Sequence, residues 1–170
     1  AVMYDLANKQ TGIASFLVTD QDAVATSAAP FTVGASTGNA GQFGMAGVIS
    51  GAGGVVVTQG GQAKLSAANT FTGTTTINQG GWLGLVGPGS VAQSAGVVNN
   101  GVFDISGTGI VPGTAGLTTN GASITTLSGS GLASLGGQTL TLTAASGTYS
   151  GVLADGGYAG GAGGGLIISG

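Results

Sequence analysis

The chain has 170 residues, 38 of them glycine; only 4% are charged, and it contains no His and no Cys. The charges are Asp5, Asp20, Asp22, Asp104 and Asp155 against Lys9 and Lys64, a formal net charge of −3. These counts exclude an ordinary zinc or copper site, a Ser-His-Asp triad and a thiol nucleophile, and two lysines cannot form the basic footprint that nucleic acid requires.

Other chemistry is also poorly served. Lys64 stands between Ala63 and Leu65 and Lys9 between Asn8 and Gln10, so no phosphate-cradling Gly-Lys-Ser/Thr loop exists. The glycines of Gly84–Gly89 have the wrong spacing for a dinucleotide turn. Asp20 and Asp22 read as a solvated pair rather than a catalytic one. The expectation is a protein that is not an enzyme and uses no cofactor and no metal. Mean hydropathy is +0.47, but no run approaches the roughly 18 apolar residues of a spanning helix, so no membrane insertion by this segment is expected. The first residues lack a charged n-region and an apolar h-region, so any signal peptide is expected to lie outside them.

In chain order, residues 1–30 come first. They hold Asp5, Lys9, Asp20 and Asp22, four of the seven charges, and follow no period; they read as an irregular leading segment, a cap or an interaction arm. Residues 31–170 read as repetitive. Gly41, Gly61, Gly81, Gly101 and Gly121 fall twenty apart. Two positions later come Phe43, Ala63, Leu83, Phe103 and Ser123, and four later Met45, Leu65, Leu85, Ile105 and Thr125. Val57, Ile77, Val97 and Leu117 form another column. Asn or Gln sits just ahead of the glycines, where a residue tolerant of φ > 0 closes a turn.

Each unit therefore predicts a strand ending at the Val57 column, a turn, and a second strand with alternate residues inward. A weaker third strand passes near Val48-Ile49, Phe71, Val91 and Ile110-Val111. The predicted fold is all-β: a right-handed parallel β-helix, a β-solenoid with about twenty residues and three short strands per coil. A strict period allots about 8.5 coils and a rod roughly 40 Å long. The predicted core is Phe43, Met45, Val57, Leu65, Ile77, Leu83, Leu85, Val97, Phe103, Ile105 and Leu117. After Gly121 the apolar positions shift to Ile124 and Leu127, which implies inserted residues at a turn.

The stretch from Gly51 to Gly80 is more specific. Leu65, Ser66, Asn69, Thr70, Phe71, Gly73, Thr75 and Ile77 resemble the passenger-associated repeat of bacterial autotransporters, although Ala63 and Ala67 depart from it. A looser copy runs from Leu140 to Gly151 through Tyr149, without the Asn, and a third opens at Gly164 to Gly170. The resemblance covers residues 46–170. It implies a passenger segment exported to the bacterial surface or released from it, outer membrane associated or extracellular, serving as a structural stem or display scaffold with adhesive potential. Implied partners are host or surface ligands, or a second copy met end to end. The alternative is a self-assembling extracellular fibre subunit. At the far end, Leu166-Ile167-Ile168 expects either a further coil of the same repeat or the first coil of another copy.

Individual residues carry weaker signals. Shifting Thr70, Thr72, Thr74 and Thr76 by twenty gives Ser90, Ala92, Ser94 and Gly96, so no ice-binding threonine ladder is expected. Trp82, between Gly81 and an inward Leu83, is expected to face outward, a mild binding hint. Asp104, between Phe103 and Ile105, is expected outward and solvated, and Asp155 in a glycine-rich turn.

Overall fold

The computed structural model describes residues 19–20, 24–26, 29–34, 42–109 and 121–170. All secondary structure among them is β, and every strand pairing is parallel. The strands stack into a β-solenoid whose coils have three sides. The longest side is a seven-stranded sheet of Thr19–Asp20, Gln42–Met45, Gln62–Leu65, Trp82–Gly87, Val102–Thr108, Leu132–Ser134 and Val152–Ala154. The second is five-stranded: Phe31–Val33, Val55–Val57, Thr75–Ile77, Val97–Asn99 and Leu127–Ser128. The third is broken into a pair, Val24–Thr26 with Ile49–Gly51, and a trio, Ala122–Ile124, Thr139–Leu142 and Gly165–Ile168. Phe71 and Val91 fill the gap between them; both are buried, and Ile49 O accepts the amides of Thr70 and Phe71.

The twenty-residue period is visible as strand register. Phe43 pairs with Ala63, Ala63 with Leu83, and Leu83 with Phe103, each step being twenty residues. The next partner is not Ser123 but Ala133, thirty residues on, followed by Leu153 after twenty more. The glycine column thus continues through Gly131 and Gly151. Ala122 and Ile124 belong to the third side instead. The first step, from Thr19 to Gly44, is twenty-five, and the long sheet has seven strands among the described residues. Thr19–Asp20 pairs with Gln42–Met45, and Val24–Thr26 with Ile49–Gly51.

The interior is apolar. Met45, Val57, Leu65, Ile77, Leu83, Leu85, Val97, Phe103 and Ile105 are all buried, joined by Val33, Val55, Ile124 and Leu140. Leu117 lies outside the described residues, as does the side chain of Phe43. Val57 stacks on Ile77 as expected, but Ile77 then meets Asn99, and Val97 meets Thr75. The column slips because two extra residues precede Val97. The Ser94 hydroxyl turns the chain there, accepting from Thr75 Oγ1 at 3.1 Å and donating to Gly73 O at 2.8 Å. Asn99 is tolerated in the core because its Nδ2 donates to Leu132 O and to the Tyr149 hydroxyl, and its Oδ1 accepts from Gly101 N.

The turns also differ from expectation in one respect. Among the described residues no Asn or Gln has positive φ; Gly60 and Gly80 do, at 75° and 76°. The register glycine that follows has another reason to be small: a Cβ at residue 101 would run into the carbonyl oxygen of Gly81 in the coil before it.

Candidate functional site

Alternation along the long sheet sends Gln62, Lys64, Trp82 and Asp104 to its outer face while Leu65, Leu83 and Phe103 point inward. Lateral pairing aligns Lys64, Gly84, Asp104, Ser134 and Ala154 in one row. Trp82 faces outward, half-buried, with its ring laid on Gly84, where a Cβ would collide with it.

This face is not open. After Ala154 the chain turns back over it as a glycine-rich segment, residues 155–164. Tyr158 reaches Trp82, with ring centroids 6.2 Å apart and planes inclined at 59°. Lys64 Nζ sits 3.6 Å from the Tyr158 ring centroid, a cation–π contact. Tyr158 itself is 58% exposed. The three side chains come from three separate parts of the chain.

Asp104 corrects the sequence reading. It is outward, but only 1% exposed. The register between Val102–Thr108 and its neighbour shifts between Asp104 and Gly107, a bulge that sets Asp104 and Ser106 side by side. Asp104 Oδ1 accepts from the Ser106 amide at 2.9 Å and its hydroxyl at 2.6 Å, and Oδ2 accepts from the Tyr158 amide at 2.7 Å. Ser106 Oγ accepts from the Ala159 amide at 3.0 Å. The covering segment lies some fifty residues downstream, so no local pattern could reveal this burial.

Asp155 lies in the glycine-rich turn, as expected. Its two oxygens accept from the amides of Gly163 and Gly164 at 3.0 and 2.9 Å. Those bonds stabilise the carboxylate and hold its pKa below the usual value.

The repeat-motif residues are structural. Asn69 is buried; its Oδ1 accepts from Ile49 N at 2.9 Å, and its Nδ2 donates to Ala67 O and Ser90 O, both at 3.0 Å. One side chain thus joins three coils. Thr70 is exposed, Phe71 fills the core, and Gly73 packs against the backbone of Gly53 and Gly54. In the looser copy the Tyr149 hydroxyl donates to Gly131 O at 2.7 Å, and Gly151 lies against the Tyr149 ring. The two copies occupy different sides of the coil. Ala63–Leu65 belongs to the long sheet, whereas Leu140 and Leu142 pair with Ala122 and Ile124 on the third side. The third copy is in register with the second, Leu140 with Leu166 and Leu142 with Ile168.

Among the described residues no three His, Cys, Asp or Glu side chains gather to hold a metal. A shallow cleft of about 240 Å³ at the last coil is lined by residues such as Leu127, Leu142, Tyr149 and Leu166, and presents no nucleophile–base pair. Comparison with family models, curated proteins and solved structures finds no match to this chain.

Proposed function

We propose that this protein is a non-catalytic structural stem, a β-solenoid segment that spaces or displays other parts of a secreted or surface-exposed bacterial protein. The observation that carries this reading is the filled interior. Core side chains from Met45 to Leu140 leave no chemistry inside, and among the described residues every buried side-chain nitrogen and oxygen has a hydrogen-bond partner. Among the described residues the exposed surface is mostly Gly, Ala, Ser, Thr, Asn and Gln. Surface display rests on the passenger-repeat resemblance at Asn69–Gly73. Negative-stain imaging of the purified chain should show single short rods, and hydrolase and transferase screens should stay at background. A reproducible turnover abolished by substituting Asp104 or Asp155 would overturn the reading.

A second reading, a head-to-tail fibre, is favoured by one feature. The last coil presents Leu153, Leu166 and Ile168 at 39%, 42% and 64% exposure. These stack on core residues of the coil before, and their outer side fits a further coil of the same repeat, from this chain or another copy. Fibres in the same images, with no single rods, would select it.

A further inference from the structure

In a solenoid each coil touches only its neighbours, so terminal coils are expected to open first and independently. The strand Val152–Ala154 looks vulnerable in this sense. It pairs with Leu132–Ser134 at one edge, and Val152 is 60% exposed. The chain that follows is unusual for its length. Four residues, 135–138, link Leu132–Ser134 to Thr139–Leu142, whereas ten, 155–164, link Val152–Ala154 to Gly165–Ile168 on the same corner. The extra residues are not needed to turn that corner.

We propose that residues 155–164 are a strap that ties the last coil to the coils beneath it, so that the stack opens as one unit rather than coil by coil. The contacts run down the outer face of the long sheet in order. Asp155 closes the base of the strap on the Gly163 and Gly164 amides, and Gly156 N donates to Gly161 O at 3.0 Å. Gly164 then lies against Leu135, and Gly160 against Gly136. The Tyr158 and Ala159 amides bind Asp104 and Ser106 one coil further on. The Tyr158 ring reaches Trp82 in the next coil and Lys64 in the one after. At about 4.8 Å per strand the strap spans roughly 19 Å. Its strongest anchor is charge-assisted and sits in the bulge at Asp104, so the bulge provides the docking point.

The test is native-state amide exchange on the full chain, read at Val152 and Leu135, whose amides bond across the last coil, and at Trp82 and Val102 in the coils beneath. In the natural chain all four should exchange through one opening with the same denaturant dependence. Gly157→Val should detach the strap, because Gly157 has φ +96° and a Cβ there would lie 2.7 Å from Asp104 Oδ1. Asp104→Ala, which removes the acceptor of the Tyr158 amide, provides a second detachment should the valine variant not fold. Fluorescence of Trp82, the one tryptophan in the chain, reports the departure of the Tyr158 ring from it. On detachment, Val152 and Leu135 should exchange at least about tenfold faster while Trp82 and Val102 hold. The proposal is overturned if Val152 in the natural chain already exchanges without denaturant dependence. It is equally overturned if detachment leaves Val152 and Leu135 within about twofold of the natural chain.

Discussion

Phe103 and Asp104 are adjacent in the chain, and their fates show what decides a residue's environment here. Phe103 is inward by alternation, fully buried, and stacked between Leu83 and Ala133. Phe103→Ala should destabilise the fold by about 3–5 kcal/mol, read as a lower urea midpoint at unchanged slope. Asp104 is outward by the same alternation, yet buried, with Gly157 and Tyr158 of the strap lying on it. Asn69 acts differently again, bonding across three coils. Asn69→Ala leaves the Ile49 amide buried without its acceptor and should cost about 1–3 kcal/mol in the same measurement. Asp155 gives a pH prediction. Its folded pKa is held below the usual 3.8, so the unfolded chain takes up protons more readily and the carboxylate's contribution is present above that value. It is lost as pH falls through the lower folded value. The Gly163 and Gly164 amide resonances should therefore titrate with a midpoint below 3.8, and Asp155→Asn should abolish the titration.

At the scale of the strand and the coil, parallel pairing enforces the repeat only where a slip would expose the core. The long sheet keeps a strict step of twenty from Phe43 to Phe103. The five-stranded side slips by two at Val97, because Ser94 and Asn99 satisfy the polar groups that the slip buries. The step from Phe103 to Ala133 is thirty residues, after which the step to Leu153 returns to twenty. Thr76 is flanked by Val56 and Val98, so the threonines of this side form no ladder, in keeping with strand propensity as the reason for their abundance.

For the whole molecule, the edge of the last coil is where end-to-end association can be tested. Leu166, Ile167 and Ile168 lie on a strand paired at one side only. If copies meet end to end, Ile168→Lys should abolish concentration-dependent sedimentation, because a charge would then be buried without a partner. If the chain stays monomeric at all concentrations, the substitution should leave its sedimentation unchanged. The strap adds a constraint that nearest-neighbour stacking lacks, by connecting coils that share no strand pairing.

Composition and period were sufficient for the parallel solenoid, the twenty-residue step and most of the core. Those features repeat locally: every coil solves the same burial problem with the same spacing, so the solution is written several times along the chain. The shift of the apolar positions to Ile124 and Leu127 was legible as inserted residues, but that they lengthen the step from Phe103 to Ala133 was not, nor were the two-residue slip at Val97 and the different sides taken by the two motif copies. Each depends on which edge a strand meets, and a shifted period can be read in more than one register. The cluster of Lys64, Trp82, Asp104 and Tyr158 was furthest from view. Its members are separated by up to 94 residues and meet only because three stacked strands and a returning segment bring them to one face. A linear pattern records which way a side chain points; what covers it is set by parts of the chain that the pattern does not connect.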